Sequence, residues 1–222
     1  MVKSAAMTIH RCECVLPHPR RRIVLTGGPG AGKTALLELV RQSFCAHVRV
    51  LPESAGILFG GGFPRGSSSA MRRAAQRAIF HTQRELEAVA DAADETVVLC
   101  DRGTVDGVAY WPGPGDFWAE VGTTLAAQLA RYDAVIHLRT PRSEHGYNNL
   151  ANPLRVESAA EAAAIDERIL DAWAGHPHRV VIAATPDFLA KAREALAVLA
   201  ALLPGCCRSN TVSATGAEFA AA

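Results

Sequence analysis

The fold is decided by the stretch Ile23-Val24-Leu25-Thr26-Gly27-Gly28-Pro29-Gly30-Ala31-Gly32-Lys33-Thr34. Gly27, four intervening residues and then Gly32-Lys33-Thr34 match the phosphate-loop pattern G-x-x-x-x-G-K-[ST]. An apolar, β-branched run precedes the pattern, and a helical pattern, Ala35-Leu36-Leu37-Glu38-Leu39-Val40, follows it. Because the motif requires this strand–loop–helix context, the stretch predicts a nucleotide-binding loop between a first strand and a first helix.

The residue types of the loop suit a polyphosphate. Small residues let backbone N–H groups wrap the phosphates without Cβ clashes. The helix that begins near Gly32 directs the positive end of its dipole at the same phosphates. Lys33 is predicted to contact the β- and γ-phosphates of ATP or GTP, and the Thr34 hydroxyl is predicted to hold Mg²⁺. The predicted nucleotide-binding residues are Gly27, Gly28, Pro29, Gly30, Ala31, Gly32, Lys33, Thr34 and Ala35.

The composition is that of an ordinary globular protein, with 49% hydrophobic and 20% charged residues in a chain of 222. The net charge of +1 provides no global field that favours nucleic acid or an anionic membrane. No apolar run is long enough for a membrane span, and no secretory signal is expected. The six cysteines are irregularly placed, which predicts reduced thiols in a cytoplasmic protein. We expect a monomer or a homodimer.

The two ends of the chain lack the periodicity of elements that bury a face. Residues 1–19 are predicted to be a flexible leader, residues 20–203 the nucleotide-binding domain, and residues 204–222 a disordered tail. Two interpretations of the leader stay open, a small zinc knot or an unstructured segment without metal. The residues that would form the knot are His10, Cys12, Cys14 and His18. The second interpretation is favoured, because no helix or turn typical of a zinc finger accompanies them.

Strand and helix patterns alternate through residues 20–203. The alternation predicts a single α/β domain with a mainly parallel, helix-covered sheet of five strands. Glu53 follows the second predicted strand, and Asp101 ends the third. Because ligands bind beyond the carboxyl ends of parallel strands, both acids are predicted to face the phosphate loop. Asp101 is expected to join Thr34 in holding Mg²⁺.

Three segments between the strands have weaker patterns. The glycine-rich residues 56–66 are predicted to lack regular structure and to form a spacer or a loop that closes over a substrate. Residues 116–131 are predicted to form one helix. The polar segment at about residues 139–156 is predicted to be a lid. Its arginines, Arg139, Arg142 and Arg155, are candidates to contact phosphate oxygens.

Taken together, the motifs resemble those of a known family. They are Val24 to Thr34, then Pro52-Glu53-Ser54-Ala55, then Asp101-Arg102-Gly103 with Asp106. They are similar to those of the AAA-type ATP/GTP-binding family, which is grouped with the ribosylnicotinamide kinase domain of NadR. The TRPL-translocation-defect GTP-binding protein carries a related domain. The resemblance covers about residues 20–200. It implies a P-loop NTPase three-layer sandwich with the strand order 2-3-1-4-5 of nucleoside and nucleotide kinases.

The first candidate function is Mg-dependent transfer of the γ-phosphate of ATP to a hydroxyl or phosphate of a small, nucleoside- or nucleotide-type acceptor. Lys33 and Asp101 would act on the donor, and Glu53 would bind the acceptor hydroxyl or take its proton. By resemblance to deoxynucleoside and thymidylate kinases, Arg102 would contact the acceptor or a phosphate. Arg142 and Arg155 are the further catalytic candidates from the lid.

The second candidate function is an ATP- or GTP-hydrolysing switch that binds a partner, with loops ordered by the γ-phosphate. The guanine-specificity motif N-K-x-D is absent, which argues against a Ras-like switch. A ring-forming AAA+ motor is also disfavoured. It needs an acidic pair at the end of the third strand, and Cys100-Asp101-Arg102 does not supply one.

Overall fold

The computed structural model describes residues 18–45, 47–93, 95–141 and 158–208. The strands are β1 (Arg21–Thr26), β2 (Val48–Leu51), β3 (Val97–Asp101), β4 (Ala134–Leu138) and β5 (Arg179–Ile182). The helices are α1 (Lys33–Ser43), α2 (Ser54–Gly60), α3 (Ser69–Ala92), α4 (Gly107–Tyr110), α5 (Phe117–Glu120), α6 (Leu125–Leu129), α7 (Ala159–Ala172), α8 (Phe188–Leu202) and α9 (Gly205–Arg208), with a 3₁₀ turn at Thr104–Asp106. Within these ranges, no helix has the length and apolarity needed to cross a membrane.

The five strands form one parallel sheet in the order β2-β3-β1-β4-β5. The order and the parallel orientation confirm the fold class that the sequence predicted. Leu51 of β2 lies opposite Cys100 of β3, and Asp101 lies opposite Leu25 of β1. This register brings the residues after β1, β2 and β3 to the same edge of the sheet.

Helices cover both faces of the sheet. Ile23 and Leu25 of β1 pack on one face in a cluster with Leu37 of α1 and apolar residues of α8. Val24 packs on the other face in a cluster with Trp173, at the end of α7. Alternate residues of a strand point to opposite faces, so β1 is buried on both sides. This arrangement is the predicted three-layer sandwich.

The glycine-rich segment departs from the prediction, because residues 56–60 belong to helix α2. Ser54 is buried at the start of α2, and its hydroxyl donates a 2.7 Å hydrogen bond to Gln83 Oε1 of α3. A glycine inside a helix costs about 1 kcal/mol. Packing of α2 against α3 outweighs that cost for Gly56.

The prediction of one helix at residues 116–131 is also wrong. The segment forms α5 and α6, with Gly122 between them at a φ of 67°. A residue in this left-handed conformation cannot continue a right-handed helix. The Thr124 hydroxyl then accepts a hydrogen bond from the Ala127 N–H and caps α6.

The ordered chain continues beyond the predicted boundary at residue 203. Helix α9 occupies residues 205–208, and Cys207 is fully buried in the cluster that includes Leu203 and α8. The predicted disordered tail therefore begins with a helix, because Cys207 joins the core. Residues 1–17 of the predicted leader and residues 209–222 of the tail lie outside the described ranges.

Candidate functional site

The phosphate-loop sequence connects β1 to α1 at the carboxyl edge of the sheet. Gly27 has a φ of 133°, and a Cβ there would come within 2.1 Å of the Leu138 carbonyl oxygen. Gly32 is the N-cap of α1 with a φ of 95°. Glycine is required at both positions, since other residues rarely adopt these conformations. The loop thus places unpaired N–H groups of the α1 amino terminus toward the cleft.

Lys33 is buried and curls back over the loop. Its Nζ donates hydrogen bonds to the Gly27 carbonyl at 2.8 Å and the Gly28 carbonyl at 3.0 Å. Burial, together with the nearby Arg102 charge, lowers the pKa of Lys33 to about 8. Of the other predicted loop residues, Pro29, Gly30 and Thr34 line the cleft, Ala31 is buried, and Ala35 is exposed on the first turn of α1.

The two predicted acids lie in the same cleft as the loop. Glu53 is the N-cap of α2, just past β2, and Asp101 is the last residue of β3. Burial, followed by repulsion from Glu53, raises the pKa of Asp101 to about 6. Its Oδ1 is enclosed and has no hydrogen-bond partner among the described residues. A carboxylate oxygen in the same cleft as the Thr34 hydroxyl fits the oxygen ligands that Mg²⁺ prefers.

Arg102 connects Glu53 to a third acid, Asp106. Its Nε donates a 2.7 Å hydrogen bond to Glu53 Oε1, and its NH1 lies 3.4 Å from Asp106 Oδ1. The guanidinium carbon lies 5.5 Å from the centre of the Tyr110 ring. The predicted acceptor-side acid is therefore held in an ion pair, with its charge partly compensated.

Asp106 has a structural role at the base of the cleft. It is buried and accepts hydrogen bonds from the Thr26 hydroxyl and, at 2.8 Å, from the Gly103 N–H. These contacts tie the end of β1 to the turn after β3. Asp106 thereby fixes the backbone on which Asp101 and Arg102 are presented.

A second set of contacts, absent from the sequence predictions, supports the phosphate loop from behind. Asp166 of α7 accepts a 2.8 Å hydrogen bond from the Gly28 N–H and a 2.9 Å hydrogen bond from His137 Nε2. Burial alone would raise the pKa of Asp166, but the His137 and Gly28 hydrogen bonds outweigh it, and the pKa is lowered. Lys191 of α8 donates to the Ala31 carbonyl at 2.9 Å. The loop is thus braced from two helices far away in the chain.

The cleft extends from the loop past Glu53 and has a volume of about 840 Å³. This volume lies within the range of small-molecule sites, about 300–1,000 Å³. Its lining includes aromatic and polar side chains, among them Arg72, Gln83 and Trp111. Trp111 also packs on Phe117 with a 5.3 Å distance between ring centres. The cleft has room for a second molecule beyond the phosphates.

Of the three lid arginines predicted from the sequence, Arg139 is described by the structure and Arg142 and Arg155 are not. Arg139 is held by ion pairs, with its Nε 3.0 Å from Asp166 Oδ2 and a further contact to Glu167. Arg142 and Arg155 lie outside the described residues. Arg168 of α7 lines the cleft, and its Nε donates a 2.8 Å hydrogen bond to the Ala109 carbonyl.

Solved structures with the same fold include two thymidylate kinases and NadR. Thymidylate kinase from Candida albicans superposes with a TM-score of 0.58 at 13% identity, over 83% of this chain and 92% of that one. NadR in complex with NR gives a TM-score of 0.60 at 16% identity, over 81% of this chain and 50% of NadR. Thymidylate kinase from Ehrlichia chaffeensis gives 0.50 at 16% identity, over 82% of this chain and 99% of that one. At these identities, the likeness establishes the fold alone.

A sequence comparison establishes the family. No curated protein sequence matches the chain significantly. The profile of the AAA domain family, however, matches residues 22–191. That match spans the phosphate loop, both cleft acids and the bracing residues up to Lys191. The chain therefore belongs to the AAA domain family and has the P-loop, kinase-like fold that its motifs predicted.

Proposed function

We propose that the protein is a Mg-dependent phosphotransferase that transfers the γ-phosphate of ATP or GTP to a hydroxyl or phosphate of a small, nucleoside-type acceptor. The observation that carries the proposal is the shape of the cleft. Besides the phosphate loop and Glu53, the same cleft is lined by Arg72, Gln83 and Trp111. A hydrolase that acts on water has no need of a cleft of about 840 Å³.

On the donor side, the loop N–H groups and Lys33 would bind the β- and γ-phosphates. To do so, Lys33 would break its hydrogen bonds to the Gly27 and Gly28 carbonyls. These carbonyls are neutral and are weaker acceptors than a charged phosphate. Thr34 and Asp101 would hold Mg²⁺, which supplies charge neutralisation to the phosphate oxygens. The enclosed Asp101 Oδ1, without a hydrogen-bond partner among the described residues, supports this role.

On the acceptor side, Glu53 would accept a hydrogen bond from the reacting hydroxyl and orient it toward the γ-phosphate. Its ion pair with Arg102 holds the Glu53 carboxyl group in the cleft. Trp111 and Arg72 would contact the ring and polar groups of the acceptor. A protein catalyses phosphoryl transfer mainly by positioning the reactants and stabilising the transferring charge.

The test separates transfer from hydrolysis. A thermal-shift screen of nucleotides with Mg²⁺ identifies the donor, and mass spectrometry of a pooled-metabolite reaction identifies the acceptor. Glu53→Gln is then expected to keep nucleotide affinity within a few-fold and to lower transfer by about 10²–10⁴. Hydrolysis of the donor by water should fall less, because Lys33, Thr34 and Asp101 remain.

Glu120→Gln is the matched control. Glu120 also pairs with an arginine, Arg77, at 3.1 Å, but neither residue lines the cleft. Its variant is expected to transfer at the wild-type rate. Equal loss of transfer and hydrolysis in Glu53→Gln would contradict an acceptor-side role for Glu53. A screen that finds hydrolysis but no phosphorylated acceptor would favour the nucleotide-dependent switch instead.

A further inference from the structure

Five cysteine and histidine side chains meet at the edge of the sheet opposite the phosphate loop. His18 precedes β1, Cys45 and His47 connect α1 to β2, and Cys206 and Cys207 belong to α9. Helix α1 has 11 residues, so the group lies about 16 Å from the loop at a rise of 1.5 Å per residue. It therefore belongs to no part of the cleft described above.

Three of these side chains, Cys45, His47 and Cys207, place their ligand atoms within 4.8 Å of one another, close to the spacing of a tetrahedral metal site. Cys207 Sγ lies 3.5 Å from His47 Nδ1 and 3.2 Å from Cys45 Sγ, and Cys45 Sγ lies 3.8 Å from His47 Nδ1. Cys206 Sγ lies 3.8 Å from Cys207 Sγ. With Zn–S near 2.3 Å and Zn–N near 2.0–2.1 Å, tetrahedral ligands lie about 3.8 Å apart for two sulfurs and about 3.6 Å for sulfur and nitrogen.

A metal site explains this arrangement of side chains better than ordinary core packing does. Cys45 and Cys207 are 2% and 0% exposed, yet the polar Nδ1 of His47 faces both sulfurs. The two sulfurs are thiols, since 3.2 Å is far longer than the bond of about 2.05 Å in a disulfide. Cys100 offers a contrast, because it is equally buried in β3 but belongs to no such group.

We propose that Cys45, His47 and Cys207 bind one Zn²⁺ ion. Two thiolates and one imidazole are ligand types that Zn²⁺ prefers, and the burial of Cys45 and Cys207 shields the site from solvent. Cys206 Sγ lies 3.8 Å from Cys207 Sγ and 3.0 Å from His18 Nε2, so Cys206 and His18 would support the Cys207 ligand from outside. Such second contacts orient metal ligands.

The site would give α9 a function. Residues 205–208 form only one turn of helix, which is too short to be stable alone. Binding of Zn²⁺ to ligands from α9 and from the α1–β2 connection would fasten α9 to the core. Because the site forms only in the folded chain, its binding free energy would add to the free energy of unfolding.

The test compares the same substitution at two buried cysteines. Cys207→Ala removes a proposed ligand, and Cys100→Ala is the matched control. Wild type and Cys100→Ala, supplied with ZnCl₂ and desalted, are expected to retain about one zinc per chain, and Cys207→Ala less than about a tenth of that. A chelator should lower the Tm of the first two proteins and leave that of Cys207→Ala unchanged.

Cobalt provides a readout that does not depend on a variant. Wild-type protein reconstituted with Co²⁺ should show the visible bands of tetrahedral cobalt bound by thiolates. No retained zinc and no cobalt bands in reduced wild-type protein would overturn the proposal. A mass lower by two hydrogens, assigned to a Cys45–Cys207 disulfide, would overturn it as well. No nucleotide is present in these measurements, so their outcome leaves the phosphotransferase proposal untouched.

Discussion

Replacing Asp101 by asparagine is expected to stabilise the protein without nucleotide, although Asp101 is a proposed site residue. Burial and Glu53 raise the pKa of Asp101 from 3.8 to about 6. The folded state therefore binds this proton more tightly than the unfolded state, and stability falls as the pH rises from about 4 to about 6. The difference corresponds to about 3 kcal/mol above pH 6, at 1.36 kcal/mol for each pKa unit.

Asparagine has nearly the same shape and does not ionise. Asp101→Asn should therefore match wild type near pH 4 and exceed its free energy of unfolding by up to about 3 kcal/mol at pH 7.5. Urea unfolding at a series of pH values, without Mg²⁺ and nucleotide, measures the difference. A difference that does not change with pH, or a variant less stable than wild type at pH 7.5, would refute the reasoning.

Asp106→Asn is the internal control, since it makes the same chemical change five positions away. Asp106 accepts hydrogen bonds from the Thr26 hydroxyl and the Gly103 N–H and pairs with Arg102. Loss of its charge should lower the free energy of unfolding by about 1.5–3 kcal/mol, the opposite sign. Addition of Mg²⁺ and nucleotide should stabilise wild type by about 2.7 kcal/mol at 100 times Kd, and Asp101→Asn by less.

The remaining predictions concern the phosphate loop. Lys33→Ala should keep a wild-type Tm within a few degrees, because the buried amine with its lowered pKa adds little to stability, and should lose the nucleotide-dependent rise in Tm. A wild-type rise would show that the loop is not the site. Asp166→Ala should lower the Tm by several degrees and weaken nucleotide binding at least about tenfold, because buried donors on Gly28 and His137 lose their acceptor. Calorimetric titration below the Tm measures this, and unchanged affinity would mean that the loop keeps its shape without Asp166.

The parts of the fold that the sequence predicted are local or follow from sheet geometry. The loop between β1 and α1 is a contiguous pattern, and its flanking strand and helix are consistent with it. Glu53 and Asp101 are 48 positions apart, yet their meeting in the cleft is predictable. Both lie at the carboxyl ends of strands, and those ends share one edge in a parallel sheet.

The parts that escaped prediction depend on contacts between distant segments. Asp166 reaches the Gly28 N–H across 138 positions, and Lys191 reaches the Ala31 carbonyl across 160. Each is one polar residue on an amphipathic helix, which is the ordinary composition of a solvent-facing side. Only their burial sets them apart, and burial is a property of the assembled fold. Helix α2 was missed for a similar reason, because its packing on α3 overrides the glycine content.

Arg102 positions both the proposed metal ligand, Asp101, and the proposed acceptor-binding acid, Glu53. Its φ of 72° makes it the non-glycine residue with a left-handed backbone among those described, and this conformation costs about 1–3 kcal/mol. Two contacts compensate: its N–H donates to the Leu25 carbonyl at 3.0 Å, and its Nε donates to Glu53 at 2.7 Å. A charged hydrogen bond contributes about 1.5–3 kcal/mol, which is enough to hold the strained turn. The turn ends β3 at Asp101 and directs the Arg102 side chain back to Glu53. This one left-handed residue therefore sets the spacing between Asp101, the proposed metal ligand, and Glu53, the proposed acceptor-binding acid.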